Sequence, residues 1–147
     1  MKKMSHPPTA FAAIDPSAVQ GFTAAQMTGL SAANAAVFTA GQVAQLNSTQ
    51  VGALATTALN AFSNDAMAAI SPTAIHGLTA AQMTALPDAN AGALISTQVA
   101  QLNSTQISAL SATALNSFNT DAMAAITLST SVDLAFSTAC FHMLMPM

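Results

Sequence analysis

Residues Thr79–Leu86, TAAQMTAL, hold in eight positions the pattern that the rest of the chain repeats. Counted in octads from Pro7, the eighth position carries Ile14, Phe22, Leu30, Phe38, Leu46, Leu54, Phe62 and Ile70, and continues through Leu78, Leu86, Leu94, Leu102, Leu110, Phe118, Ile126 and Leu134. Each is a large apolar side chain. The fifth position forms a second apolar column, from Phe11 and Val19 to Leu115 and Met123, interrupted only by Ala35, Ala91 and Ser131. Positions five and eight are three apart, a spacing that shares one face of a helix and does not share one face of a strand.

The remaining positions say where each helix starts. Thr, Ser, Asn or Asp recurs at position one, where a helix needs an N-cap. In TAAQ, TAGQ and NSTQ a Gln follows three residues later, as in a capping box. Pro16 and Pro72 stand at position two, where a missing N–H removes no helical bond. Asp65 and Asp121 fall at position three, inside the first turn, favourable to the helix dipole. These signals agree on one helix start per octad.

One continuous helix does not fit, because eight residues advance roughly 80° past two whole turns and the apolar columns would wind around the surface. The chain must turn a corner between units. The expectation is an all-α solenoid with one helix of about six or seven residues per octad and an interior ladder of Leu, Phe, Ile, Val and Met. Helices this short do not persist alone in water, so packing between them must hold them. The alternative is a β-solenoid with two octads in each sixteen-residue coil. Neither the handedness nor the number of octads per turn is legible.

Longer-range organisation is that of a single array. Residues 1–6 are unpatterned, sixteen octads span residues 7–134, and 135–147 (AFSTACFHMLMPM) leave the pattern. Residues 15–70 align without a gap on 71–126, identical at 35 of 56 positions, so a block of seven octads is duplicated. The first octad, PPTAFAAI, resembles the octad that closes each block, as though the array began partway through a longer one.

Composition narrows the functional classes. Of 147 residues 52% are hydrophobic, much of that alanine, and 5% are charged, which suits a repeat protein better than an ordinary enzyme. Five Asp against Lys2 and Lys3 give a net charge of −3 and no basic patch for nucleic acid. The start carries two lysines without the apolar run of a cleavable signal. No uninterrupted apolar stretch reaches the length of a membrane span. Cys140 is the single cysteine, which excludes an internal disulfide and a thiolate metal site.

Few residues could carry chemistry. His6, His76 and His142 are scattered, and His76 occupies the place that Gln20 holds in the first block, so it reads as a surface histidine. The carboxylates show no catalytic spacing, so no catalytic, metal or cofactor-binding residue is expected, and no small-molecule substrate is evident. Cys140, beside Phe141 and His142, reads as buried or incidental. Asn47-Ser48-Thr49 and Asn103-Ser104-Thr105 match the glycosylation pattern, but Asn at position one is first an N-cap. The Thr, Ser and Gln columns are expected as regular uncharged rows on the outside.

TAAQMTAL, STQVAQL and NSTQISAL resemble the L-T/S-x-x-Q-V/I-x-A-L octapeptide arrays of large repetitive bacterial surface and secreted proteins. The resemblance covers residues 7–134. It implies a stalk or scaffold at the cell surface, with no catalytic residues to carry over. The expected function is a non-enzymatic structural protein whose open ends associate with copies of itself. The alternative is a ligand-binding array that presents Thr, Ser and Gln rows to ice or a glycan.

Overall fold

The computed structural model describes residues 8–126. The unpatterned start, the sixteenth octad, the 135–147 tail, His6, Cys140 and His142 lie outside the described residues. Within them, every octad from the first to the fifteenth carries one short helix, from Pro8–Ala12 to 120–126, and there is no strand. The described residues are therefore all-α, and the β alternative is set aside.

Caps fall where the sequence places them. Thr23, Thr39, Asn47, Thr79 and Asn103 each accept from the backbone N–H three residues on, and the Gln at that place accepts from the cap's own N–H, completing the reciprocal box. Asn47 and Asn103 thus act as caps. Asp15 caps the helix Pro16–Val19, with Pro16 at its first position. Ala55, Pro87 and Ile95 provide no side-chain cap.

Helix length departs from expectation. The fully described helices run four to six residues, shorter than the anticipated six or seven. The reason is in the corner, which takes two extended residues rather than one: Leu54 at position eight has φ −61° and ψ 134°, and Ala55 at the next position one has φ −62° and ψ 148°. Octad nine differs again. Behind Pro72 it forms a 3-10 helix, Ala74–Gly77, instead of an α-helix.

From the first octad to the eleventh, the helices other than Ala74–Gly77 pack against the helix three octads further on. Pro16–Val19 meets Ala40–Val43, which meets Asn64–Ala69, which meets Asp88–Gly92, which meets Ala112–Asn116. The same rule joins Ala24–Thr28 to Ser48–Ala53 and then to Ala74–Gly77. The helices thereby sort into three stacks. Positions five and eight from all three point into one shared core, in which Val43, Val51, Leu59, Met67, Ile75, Met83 and Val99 are wholly buried. Phe11, Phe38 and Phe62 follow one another along one stack with ring centroids 6.1 and 6.0 Å apart, tilted and edge-on.

Backbones approach most closely where Ser48–Ala53 crosses Ala74–Gly77. A Cβ on Gly77 would lie 1.9 Å from the Ser48 carbonyl oxygen, and one on Gly52 would lie 2.6 Å from the Gly77 carbonyl oxygen. No side chain fits there, so glycine at both places is what lets these two turns touch.

Candidate functional site

Position four is a third inward column, and it overturns one expectation. The glutamines do not lie on the outside: Gln42, Gln50, Gln82, Gln98 and Gln106 are at most 2% exposed. Where position four is not Gln it is often alanine, and Ala58, Ala66, Ala74, Ala114 and Ala122 are equally buried. The two choices solve one packing problem in different ways, a long amide spanning the gap or a small methyl closing it.

A buried amide must have its hydrogen bonds satisfied. Each glutamine does this with both ends of its amide group. Oε1 accepts from the N–H at position one of its own octad, which fixes the side chain against its own helix. Nε2 donates to two carbonyls, at positions five and eight of the octad four units earlier. For Gln82 the acceptors are Val51 O at 2.9 Å and Leu54 O at 2.7 Å. For Gln98 they are Met67 O at 2.8 Å and Ile70 O at 2.7 Å, and for Gln106 Ile75 O and Leu78 O at 2.9 and 2.8 Å. The position-eight carbonyls sit at the corner, past the last helical bond, while each position-five carbonyl also accepts from the N–H of its own position-eight residue, Leu54 on Val51, Ile70 on Met67 and Leu78 on Ile75. One side chain therefore caps the start of its own helix and the end of a helix beneath it.

Asn90 is a shorter version of the arrangement. Its octad begins with Pro87, which has no N–H to satisfy, and the shorter amide reaches down only to Asn60 O at 3.2 Å.

A second set of bonds runs along the outside at position six. Thr28 Oγ1 donates to Ala53 O at 2.9 Å, Asn60 Nδ2 to Ala85 O at 2.9 Å and Thr84 Oγ1 to Ala109 O at 3.0 Å, each 25 residues ahead. Gln20 Nε2 donates to Gln45 Oε1 at 2.7 Å, and in the second block His76 Nε2 lies 3.1 Å from Gln101 Oε1. His76 is exposed, as expected of a surface histidine, and it takes over the bridging role of Gln20. That bond requires the proton on Nε2, since Gln Oε1 only accepts.

Ionisable groups are dispersed. Asp15, Asp65, Asp88 and Asp121 are all exposed, and Asp65 and Asp121 lie in first turns as anticipated. The Asp15 carboxyl is held below the usual range because the Ser17 hydroxyl and the Ser17 N–H both donate to it. Among the described residues no three His, Cys, Asp or Glu side chains gather where they could hold a metal ion. Among them, too, no helix is long and apolar enough to cross a membrane.

A concave feature lies at the N-terminal end of the described core. Phe11, Phe22, Gln26, Met27, Gly29, Leu30 and Asn34 line a groove of about 310 Å³. Phe11, Ile14, Phe22 and Leu30 are only partly buried here, although the same positions deeper in the array are closed. Gln26 has the capping half of the glutamine arrangement, its Oε1 taking the Thr23 N–H at 2.8 Å. Its Nε2 makes no hydrogen bond among the described residues.

Position four was read from the sequence for its local cap alone, and its second role was missed. The available signal was that Gln alternates there with Ala, a substitution common in a core and unusual on a solvated face. Compared with protein families, with curated proteins and with solved structures, the chain matches none of them.

Proposed function

We propose that this chain is a helical solenoid with three octads per turn, and that it serves as a non-enzymatic structural scaffold joining copies of itself end to end. The observation that carries this reading is the buried glutamine ladder. It ties turn to turn through backbone carbonyls, so adhesion depends on the repeat itself and on no appended domain. In such one-dimensional stacks each unit is stabilised by its neighbours, and a terminal unit lacks one of them. Toward the two limits of the described residues, Phe11, Ile14, Phe22 and Leu30 on one side and Ile107, Leu115 and Ile126 on the other are only partly buried. A heterologous contact of one end on the other propagates without closing, which is how filaments grow.

The resemblance to octapeptide arrays supports a stalk-like role at a bacterial surface. The dispersed, exposed carboxylates support a role without catalysis. Sedimentation velocity over a concentration series, followed by electron microscopy, tests the assembly: mass rising with concentration into rods upholds it, and a constant monomer refutes it.

A second reading draws on one specific observation. Thr49 and Thr73 stand exposed at position three of octads six and nine, whose helices pack on one another, and Thr97 is exposed at the same position of octad twelve. An uncharged threonine row of this kind suits ice or a glycan, without the glutamines originally grouped with it. A thermal-hysteresis assay reading zero removes the ice version.

A further inference from the structure

We propose that Asn47 and Asn103 are acceptor sites for N-linked glycosylation, each taking a sugar on its side-chain nitrogen. Both open an Asn-Ser-Thr stretch, the pattern in which a hydroxyl follows two residues after the acceptor asparagine. The cap does not compete with this chemistry, because it uses the other end of the amide. Asn47 Oδ1 accepts from Gln50 N–H at 2.9 Å, and Asn103 Oδ1 accepts from Gln106 N–H at 2.9 Å. Neither Nδ2 makes a hydrogen bond among the described residues, and Asn47, Thr49, Asn103 and Thr105 are all exposed. A glycosylated asparagine keeps its Oδ1, so cap and glycan can share one side chain.

Asparagine is also more than the cap demands. Thr23, Thr39 and Thr79 complete the same capping box with a hydroxyl. Asn119 accepts from Ala122 N–H at 2.8 Å and is followed two residues on by Asp121, so the fold also holds a cap asparagine without the acceptor pattern. The run QVAQLNSTQ is identical in the two blocks, at 42–50 and 98–106. Because seven octads is not a multiple of three, the two copies fall on different stacks. Ser48–Ala53 packs with Ala24–Thr28 and Ala74–Gly77, and Ser104–Ala109 packs with Ala80–Thr84. Glycans on both stacks would give a chain that is only 5% charged the hydration that its few carboxylates do not supply.

In the transfer, Nδ2 attacks the anomeric carbon of a diphosphate-activated sugar. The N–C bond forms, the C–O bond to the diphosphate breaks, the diphosphate leaves, and the nitrogen gives one proton to a base of the transferase. Helices of six residues, such as Ser48–Ala53 and Ser104–Ala109, do not hold alone in water. Before neighbouring octads pack, each acceptor stretch is therefore open to the enzyme.

The test produces the full chain in two ways. One co-expresses it with a soluble asparagine glycosyltransferase that uses a nucleotide sugar. The other sends it, behind an added leader, through a secretory pathway whose donor is a lipid-linked oligosaccharide. Peptide mass spectrometry reads occupancy, and a known acceptor protein in the same cells certifies each transferase. The expected result is sugar on Asn47 and Asn103 and none on Asn119. A single hexose in the first arm or a whole oligosaccharide in the second shows which donor serves the sites. Thr49→Ala and Thr105→Ala each abolish sugar at their own site with an unchanged helical spectrum, since the cap and its glutamine remain. Asp121→Thr, which places a hydroxyl two residues after Asn119, gains a third site. Bare Asn47 and Asn103 in both arms, beside a modified acceptor protein, overturn the proposal, and so does occupancy that survives Thr49→Ala and Thr105→Ala.

Discussion

Replacing Gln98 by alanine isolates what the glutamine ladder contributes. Gln98 is wholly buried. Its Oε1 accepts from Ile95 N–H at 2.8 Å, and its Nε2 donates to Met67 O and Ile70 O. Alanine removes all three bonds and leaves the Ile95 N–H and the Ile70 carbonyl short of a partner in a dry interior, while Met67 O keeps only the Ile70 N–H. Each bond contributes about 1 kcal/mol net, and buried groups left unpaired cost more, so the total loss is about 3–5 kcal/mol. For a chain of this size that lowers Tm by roughly 6–20 °C. Gln26→Ala is the matched control. It removes the same capping bond, to Thr23 N–H, with no carbonyl bonded to its Nε2 among the described residues, and should cost about 1 kcal/mol. Urea unfolding followed by circular dichroism measures both. Equal losses, within about 0.5 kcal/mol, would mean that the glutamines act only as local caps and that the ladder does not hold the turns together.

Other substitutions test neighbouring parts of the account. Gly77→Ala drives a methyl into the Ser48 carbonyl and should destabilise by about 3 kcal/mol or more, whereas Gly41→Ala, whose Cβ would have nothing nearer than 3.8 Å, should stabilise by about 0.5–1 kcal/mol; thermal melts of the pair decide. Asn60→Thr exchanges a side chain whose Oδ1 is buried without a partner for the hydroxyl that Thr28 and Thr84 use at the same position, and should raise stability by about 1 kcal/mol in denaturant titration. His76→Gln restores the residue of the first block and should change stability by less than about 0.5 kcal/mol, while His76→Ala loses the bridge to Gln101 and melts earlier. Asp15 has a folded pKa below its unfolded one, so its cap contributes above the ordinary carboxylate range and is lost as pH falls through the lowered value; an NMR titration of the Ser17 amide should report that loss on the acid side of a free aspartate.

The local half of this fold is legible in the sequence. Thr23, Thr39, Asn47, Thr79 and Asn103 announce helix starts because a cap and its Gln are three residues apart, and the columns at positions five and eight declare an inward face. What the sequence leaves hidden depends on partners far along the chain. Gln82 looks complete once it has bonded Thr79 N–H, and its second job involves Val51 and Leu54, 31 and 28 residues earlier. The alanines at position four look like filler until Ala58 and Ala66 prove to be core. Packing between helices three octads apart depends on the angle of a two-residue extended corner, and Leu54-Ala55 carries no side-chain signature of that angle. Gly52 and Gly77 are separately unremarkable, and their meaning is the contact between them.

The central claim is that octads three apart lie against one another, and the most direct test is a nuclear Overhauser experiment on selectively labelled chain. The account predicts cross-peaks between Thr28 and Ala53, Asn60 and Ala85, and Thr84 and Ala109, all at a separation of 25 residues. Cross-peaks at a spacing near sixteen residues, the two-octad coil of a β-solenoid, with none at 25, would contradict it.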